Sequence, residues 1–330
     1  VPAAGYKIKG LPIAGLQRKL TPTNIVKNLQ LPFKMLKSRN MVKSILKDFS
    51  PDIVVGVGGF ASEPTLKAAA RMGYPTLLQE QNSYAGLTNK MLARDARTIC
   101  VAYDGMERFF PKEKIVFTGN PVRADIEQMN ISREESLDHF GLNGNHKVVL
   151  SVGGSLGARS INQMIMSHLH FFRENEIQLV WQTGRWMYED AKRAVEQAGV
   201  GEWVKVHQFI AHMDMAYTAA DIVISRAGAI AISELCLVGK PVVLIPSPNV
   251  AEDHQTKNAL ALVNKNAALY VKDAEAKDLL IDKAIETVNH PELLKNLSRN
   301  ISKLAFTDSA NVIAKEVIKL AEQYKKEHGC

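Results

Sequence analysis

KVVLSVGGSLGARSINQ, residues Lys147–Gln163, reads as a buried strand, a glycine-rich turn and the opening of a helix in one uninterrupted run. Val148, Val149, Leu150 and Val152 are the apolar, mostly β-branched residues of a strand covered on both faces. Gly153 and Gly154 let the backbone approach a ligand, and Ser155, Gly157 and Ala158 lead into a helix whose first N–H groups have no partner inside it. The run has neither the Lys-Ser/Thr ending of a P-loop nor the Gly-x-Gly-x-x-Gly of a dinucleotide turn. It predicts a phosphate-binding turn of another pattern.

Working outward, the same unit occurs twice more. Ile53–Phe60, IVVGVGGF, precedes an Ala-rich helical run, and Asp221–Glu234, DIVISRAGAIAISE, turns at Gly228 into a helix that passes Glu234. Strand patterns fall near 53–57, 75–78, 98–101 and 115–117, and again near 147–152, 177–182, 204–207, 221–225, 241–245 and 268–271, with helical patterns between them. Regular alternation of this kind means parallel sheets with helices on both faces, and two series mean two doubly wound α/β domains. The break is expected at Gly119-Asn120-Pro121-Val122-Arg123, giving domains over 1–123 and 124–305, with ligands at the carboxyl ends of the strands in a cleft that the domains face.

At 330 residues the chain is long enough for two cores, and 46% apolar against 23% charged residues is a globular composition. No run of about 18 apolar residues occurs, so no transmembrane helix is predicted. Cys100, Cys236 and Cys330 lack metal-ligand spacing and suit a reduced, cytoplasmic setting. The start at VPAAGYKIKG, without Met and mid-domain in character, is expected to follow an upstream segment.

The net charge of +7 is concentrated at one end, because residues 1–50 hold ten of the 41 Lys and Arg but one of the 34 Asp and Glu. Between Thr23 and Phe49 those cations interleave with Ile25, Leu29, Phe33 and Leu36 at helical spacing, broken at Pro32. Basic amphipathic helices with apolar side chains predict docking on an anionic membrane surface; an ordinary packed helix with a solvated Lys face is the alternative. Nucleic acid is not expected as a partner, since stacking aromatics are missing from the segment and the remaining chain is slightly acidic.

GVGGF (56–60), LLQEQNSYAGLTNK (77–90), GNPVR (119–123), SVGGSLGARSIN (151–162), RAGAIAISE (226–234) and EDHQTKNA (252–259), in this order, resemble glycosyltransferase family 28 along nearly the whole chain. The resemblance is to its peptidoglycan-synthesis members, which transfer GlcNAc from UDP-GlcNAc to the undecaprenyl-linked acceptor lipid I. It implies a GT-B fold, a peripheral enzyme on the cytoplasmic face of the inner membrane, and a C-terminal helix, about 306–330, that packs back on the first domain. It also implies donor contacts at Arg123, Ser155 and Gln255, a ribose-binding Glu234, main-chain reading of uracil at Ile210, and a sugar contact at Asn82.

The helix start Ala229, Ile230, Ala231, Ile232 and Ser233, with Gly153, Gly154 and Gly228 behind it, joins this expected set. No Asp-x-Asp occurs, so neither a metal nor a cofactor is expected, and helix N-termini with Arg123 are assigned the charge of the leaving diphosphate. The family's opening Gly-Gly-Thr-Gly-Gly-His loop, where a base is often proposed, is not in this sequence, which leaves the base unassigned, with Glu80 as a candidate and His254 as a further one. A diacylglycerol-directed hexosyltransferase and a non-catalytic nucleotide-sugar-binding subunit are the competing readings.

Overall fold

Each of the ten strand patterns read from the sequence coincides with a parallel strand. The computed structural model describes residues 2, 5–13 and 21–329; Arg18 and Lys19 of the basic segment, and Cys330, lie outside them. The chain divides into two compact units, residues 1–118 with 310–330, and residues 119–309. Arg123, read from sequence as the end of the first domain, therefore belongs to the second unit.

In the first unit β1 (Val54–Gly56), β2 (Thr76–Glu80), β3 (Thr98–Val101) and β4 (Ile115–Phe117) pair in sequence order, all parallel. One face of this sheet packs Leu78, Ile99 and Val101 against Leu66, Leu92 and Phe110. On the other face Leu77 and Cys100 meet Ile313, Val317 and Leu320 of the last helix, Ser309–His328, which also sets Tyr324 against Tyr74. Helix Leu31–Phe49 buries Val42 and Leu46 against Ala68 and Ala69 of helix Ser62–Arg71. Its Arg39 pairs with the buried Glu63 at 2.5 Å.

In the second unit β5 (Lys147–Val152), β6 (Ile177–Gln182), β7 (Val204–His207), β8 (Ile222–Ser225), β9 (Val242–Leu244) and β10 (Leu269–Tyr270) form one parallel sheet in the order β10-β9-β8-β5-β6-β7. This is a doubly wound sheet whose order reverses between β5 and β8, so the loops after those two strands diverge and leave room for a ligand. The central strands are buried on both faces, as their unbroken Val, Ile and Leu content requires.

Trp181 on β6 is fully buried, and its Nε1–H donates to Asn162 Oδ1 at 3.0 Å while Asn162 Nδ2 donates to the Thr183 carbonyl at 2.7 Å. That small network fastens the helix after β5, Arg159–Ser167, to the end of β6. Trp181→Phe strands a buried acceptor and is expected to lower stability by about 1–3 kcal/mol, measured as a shift of the urea midpoint with unchanged slope.

Candidate functional site

The turn after β5 is fixed by what cannot fit beside it. A Cβ on Gly153 would lie 2.7 Å from Ala158 Cβ, and one on Gly157 would overlap the Thr183 carbonyl at a φ of +79°. Gly184, at +73°, is equally closed by the Leu156 carbonyl. Three positions without side chains thus let the turn lie flat on the end of β6, closed by Gly157 N–H to the Gly154 carbonyl at 2.9 Å.

Two helices then start at a common cavity of about 920 Å³, lined entirely by residues of the second unit. Helix Arg159–Ser167 begins after Ala158, and helix Ala229–Val238 begins after Gly228. Neither has a side-chain cap, so the first-turn N–H groups and the positive dipole ends remain for an anion.

One carboxylate of the cavity is Glu234, whose side chain is 12% exposed. Its Oε2 accepts from Tyr217 Oη–H at 2.9 Å, and its Oε1 lies 3.6 Å from Arg123 Nε. Burial raises the Glu234 pKa above the ordinary carboxylate value, against the opposing effects of the Tyr217 hydroxyl and the Arg123 charge. Arg123 is itself 45% exposed and stands 3.7 Å from Asp125, so it is held loosely between two acids. Gln255, in the first turn of helix His254–Val263, accepts from the Ser247 N–H at 2.8 Å through Oε1, which orients its amide at the cavity wall.

The cavity brings together Arg123, Gly153, Gly154, Ser155, Ile210, Gly228, Ile230, Ala231, Glu234 and Gln255. Three of the expected helix residues do not line it. Successive helical residues turn by about 100°, so Ile230, Ala231 and Glu234 share one face while Ala229, Ile232 and Ser233 do not. Ile232 is in the core, and Ser233 Oγ–H donates to the Ala229 carbonyl while accepting from Asn120 Nδ2. Ile210 is present but altered in role, because its N–H already donates to Gln182 Oε1 at 2.7 Å. The main-chain group it retains for a base edge is the carbonyl.

Gln182, Tyr217, Arg226 and Asp273 were not found by sequence reasoning. Gln182, at the end of β6 and almost fully buried, also donates to the Gly154 carbonyl at 3.1 Å, tying the glycine turn to the loop after β7. The only sequence signal for it is a polar residue closing an apolar strand.

In the first unit Glu80 is buried at the end of β2 and takes four donors: Asn82 N–H at 3.1 Å, Asn82 Nδ2 at 3.2 Å, Gly86 N–H at 3.0 Å and Asn89 Nδ2 at 2.8 Å. A carboxylate so occupied shapes the 81–89 loop, which corrects its assignment as a candidate base. The Asn82 amide nitrogen is committed to it in the same way.

Known proteins agree with this architecture. The model of the glycosyltransferase family 28 C-terminal domain matches residues 148–316, and that of the family 28 N-terminal domain matches residues 1–101. The curated UDP-N-acetylglucosamine--N-acetylmuramyl-(pentapeptide) pyrophosphoryl-undecaprenol N-acetylglucosamine transferase of Phocaeicola vulgatus is 61% identical over 329 residues, covering 100% of this chain and 86% of that protein. The enzyme of the same name from Porphyromonas gingivalis is 50% identical over 327 residues, 99% of this chain and 85% of that one. The crystal structure of Acinetobacter baumannii MurG superposes with a TM-score of 0.72 at 28% identity, covering 87% of this chain and 79% of that one. A UDP-GlcNAc 2-epimerase from Neisseria meningitidis, at 14% identity and a TM-score of 0.62 over 92% of this chain and 83% of its own, shares the fold alone. Two domain models that together span most of the sequence, and relatives identical at half or more of their aligned positions, show that the chain belongs to glycosyltransferase family 28.

Proposed function

We propose that this chain transfers GlcNAc from UDP-GlcNAc to the C4 hydroxyl of the MurNAc unit of lipid I, forming lipid II for peptidoglycan. The observation that carries the reading is the cavity of the second unit, where two uncapped helix starts, an arginine and a half-buried carboxylate converge in a chain 61% identical to a transferase of that name. Ser155 and the helix starts after Ala158 and Gly228 suit the diphosphate, whose charge grows as UDP leaves. Arg123 is close enough to turn from Glu234 and Asp125 to that charge. Glu234 suits the ribose diol, Gln255 the GlcNAc hydroxyls, and the Ile210 carbonyl the uracil N–H, while Asn82 of the first unit is proposed as a sugar contact by resemblance alone. The acceptor oxygen attacks C1 opposite the departing phosphate, so the anomeric configuration inverts.

The donor roles are tested by calorimetric titration of the full chain with UDP-GlcNAc, UDP-galactose and NAD. Selective UDP-GlcNAc binding is expected, weakened about tenfold to a hundredfold in Glu234→Ala, the loss of one or two charge-assisted hydrogen bonds. Equal affinity for the three nucleotides, or full affinity in the variant, counts against the assignment.

Only the ionised Glu234 accepts from both ribose hydroxyls, and its pKa in the fold lies above the ordinary 4.5. UDP affinity should therefore rise with pH through that raised value, and the rise should flatten in Glu234→Gln. Stability runs the other way, because a raised carboxyl pKa means that the fold favours the protonated form and loses stability as pH climbs through it. Relative to wild type, unliganded Glu234→Gln should gain stability as pH rises from 4.5 through that raised value, read as a growing difference in urea midpoint.

The enzyme is further proposed to dock on the cytoplasmic face of the inner membrane. Helices Pro22–Leu29 and Leu31–Phe49 expose Ile25, Leu29, Phe33 and Leu36 at 46%, 69%, 77% and 60%, next to a sequence rich in Lys. Among the described residues no helix is long and apolar enough to cross a membrane. Apolar side chains that enter the headgroup region contribute about 1.5–3 kcal/mol each when fully buried, and each cation near an anionic surface about 1 kcal/mol. Replacing Leu29, Phe33 and Leu36 by Ser should reduce co-sedimentation with phosphatidylglycerol vesicles more than about tenfold while UDP-GlcNAc binding persists. Unchanged sedimentation rejects the docking face.

A further inference from the structure

The best-covered arginine of the donor cavity is Arg226, 15% exposed at its side chain, in the segment between β8 and helix Ala229–Val238. Its Nη1 donates to the Ile245 and Pro246 carbonyls at 3.1 and 3.2 Å, just after β9, and meets Asp273 Oδ1 at 2.5 Å, after β10. Its Nη2 donates to Ser160 Oγ at 2.7 Å, in the first turn of helix Arg159–Ser167, and Ser160 Oγ–H donates in turn to Asp273 Oδ1 at 2.6 Å. One guanidinium therefore joins the segments that follow β8, β9, β10 and β5, the four strands adjacent in the sheet. It also stands two residues before Gly228 while holding the second residue of the other helix that opens on the cavity.

We infer that Arg226, with Asp273 and Ser160, is a positioning residue for the donor diphosphate: it fixes the spacing of the two helix N-termini instead of serving as a mobile cation. The inference rests on the reading of this cavity as the UDP-GlcNAc site. Nη1 is shared among three oxygens and Nη2 donates to a fourth, and the charge is matched by Asp273, so the guanidinium is held in place by the protein. Its geometry is what it contributes, since a planar fork reaches several acceptors at fixed angles and an ammonium on a flexible stem does not. Helix-end electrostatics fade within the first turn, so a small change in the spacing of the two starts is felt at the phosphates. Uridine recognition is held separately, by Gln182 on Ile210 and by Tyr217 on Glu234.

The ratio of UMP to UDP dissociation constants isolates the contribution of the second phosphate, and a general loosening of the fold leaves that ratio unmoved. It is measured on the full chain by calorimetry, with UMP by displacement, for wild type, Arg226→Lys, Arg226→Ala, Ser160→Ala and the Arg226→Lys/Ser160→Ala pair. The expected result is a ratio at least about tenfold smaller in Arg226→Lys with UMP affinity little changed, and no further fall when Ser160→Ala is added. A wild-type ratio in Arg226→Lys overturns the inference, whether both affinities hold or fall together. A ratio lost in Arg226→Ala but kept in Arg226→Lys overturns it too, because charge alone then suffices. Failure of the wild-type chain to bind UDP removes the donor reading and this inference with it, whereas normal UDP binding in every variant removes only the latter.

Discussion

The donor site depends on a steric constraint, the lack of room for any Cβ at Gly153, Gly157 and Gly184. Because these positions carry no side chain, the turn after β5 can lie against the end of β6, and helix Arg159–Ser167 starts directly over the sheet. Everything else at the site is arranged around that close approach. Gln182 spans it from below, accepting from Ile210 and donating to Gly154, and Asn162 secures the far side through Trp181 and Thr183. A turn held off the sheet by one methyl group would move a helix start and break contacts to two neighbouring loops at once.

Two glutamates, one buried and one half-buried, show how environment decides what a carboxylate can do. Glu80 accepts from four protein donors, including two backbone N–H groups, and so has no capacity left for a substrate proton. Glu234 accepts one short hydrogen bond, from Tyr217, and its other oxygen meets Arg123 only at 3.6 Å. Partly desolvated and incompletely paired, it is the more costly group to maintain in the fold, consistent with the upward direction of its pKa. Incomplete pairing leaves acceptor capacity for ligand hydroxyls, a usual mark of a functional carboxylate.

The strands were legible because the central parallel strands, covered on both faces, need apolar Val, Ile and Leu runs, and all ten strands occur where the sequence patterns place them. The glycine turns were legible for a similar reason, since their requirement is local. Gln182, Arg226 and Asp273 were not, because their meaning lies in partners 19 to 113 residues away that no spacing rule brings together. The facing of helix Ala229–Val238 was blurred by its composition: a helix apolar nearly all round has no amphipathic stripe to tell Ile230, toward the cavity, from Ile232, in the core. At Ile210 the obstacle was of another kind, for no sequence pattern reveals that a backbone N–H is already taken by a distant side chain.

Two of the arginines that line the cavity, Arg226 and Arg123, complete the electrostatic logic. Arg226 is tightly bonded, closely matched by Asp273 and covered, so its charge adds little field and its value is geometric. Arg123 is half-exposed and lies 3.6 and 3.7 Å from two carboxylates, beyond good hydrogen-bond distance to either. A guanidinium in that state gives up little when it turns to a diphosphate. Rigidity at one arginine and slack at the other serve the same end. The helix starts must already be in place when the sugar bond breaks, since preorganised dipoles stabilise charge without reorganising, whereas a loosely held Arg123 suits the proposed role of following the charge as it moves onto UDP. Every side chain in this arrangement belongs to residues 119–309, so the proposed handling of the leaving-group charge draws on a preorganised set within one unit.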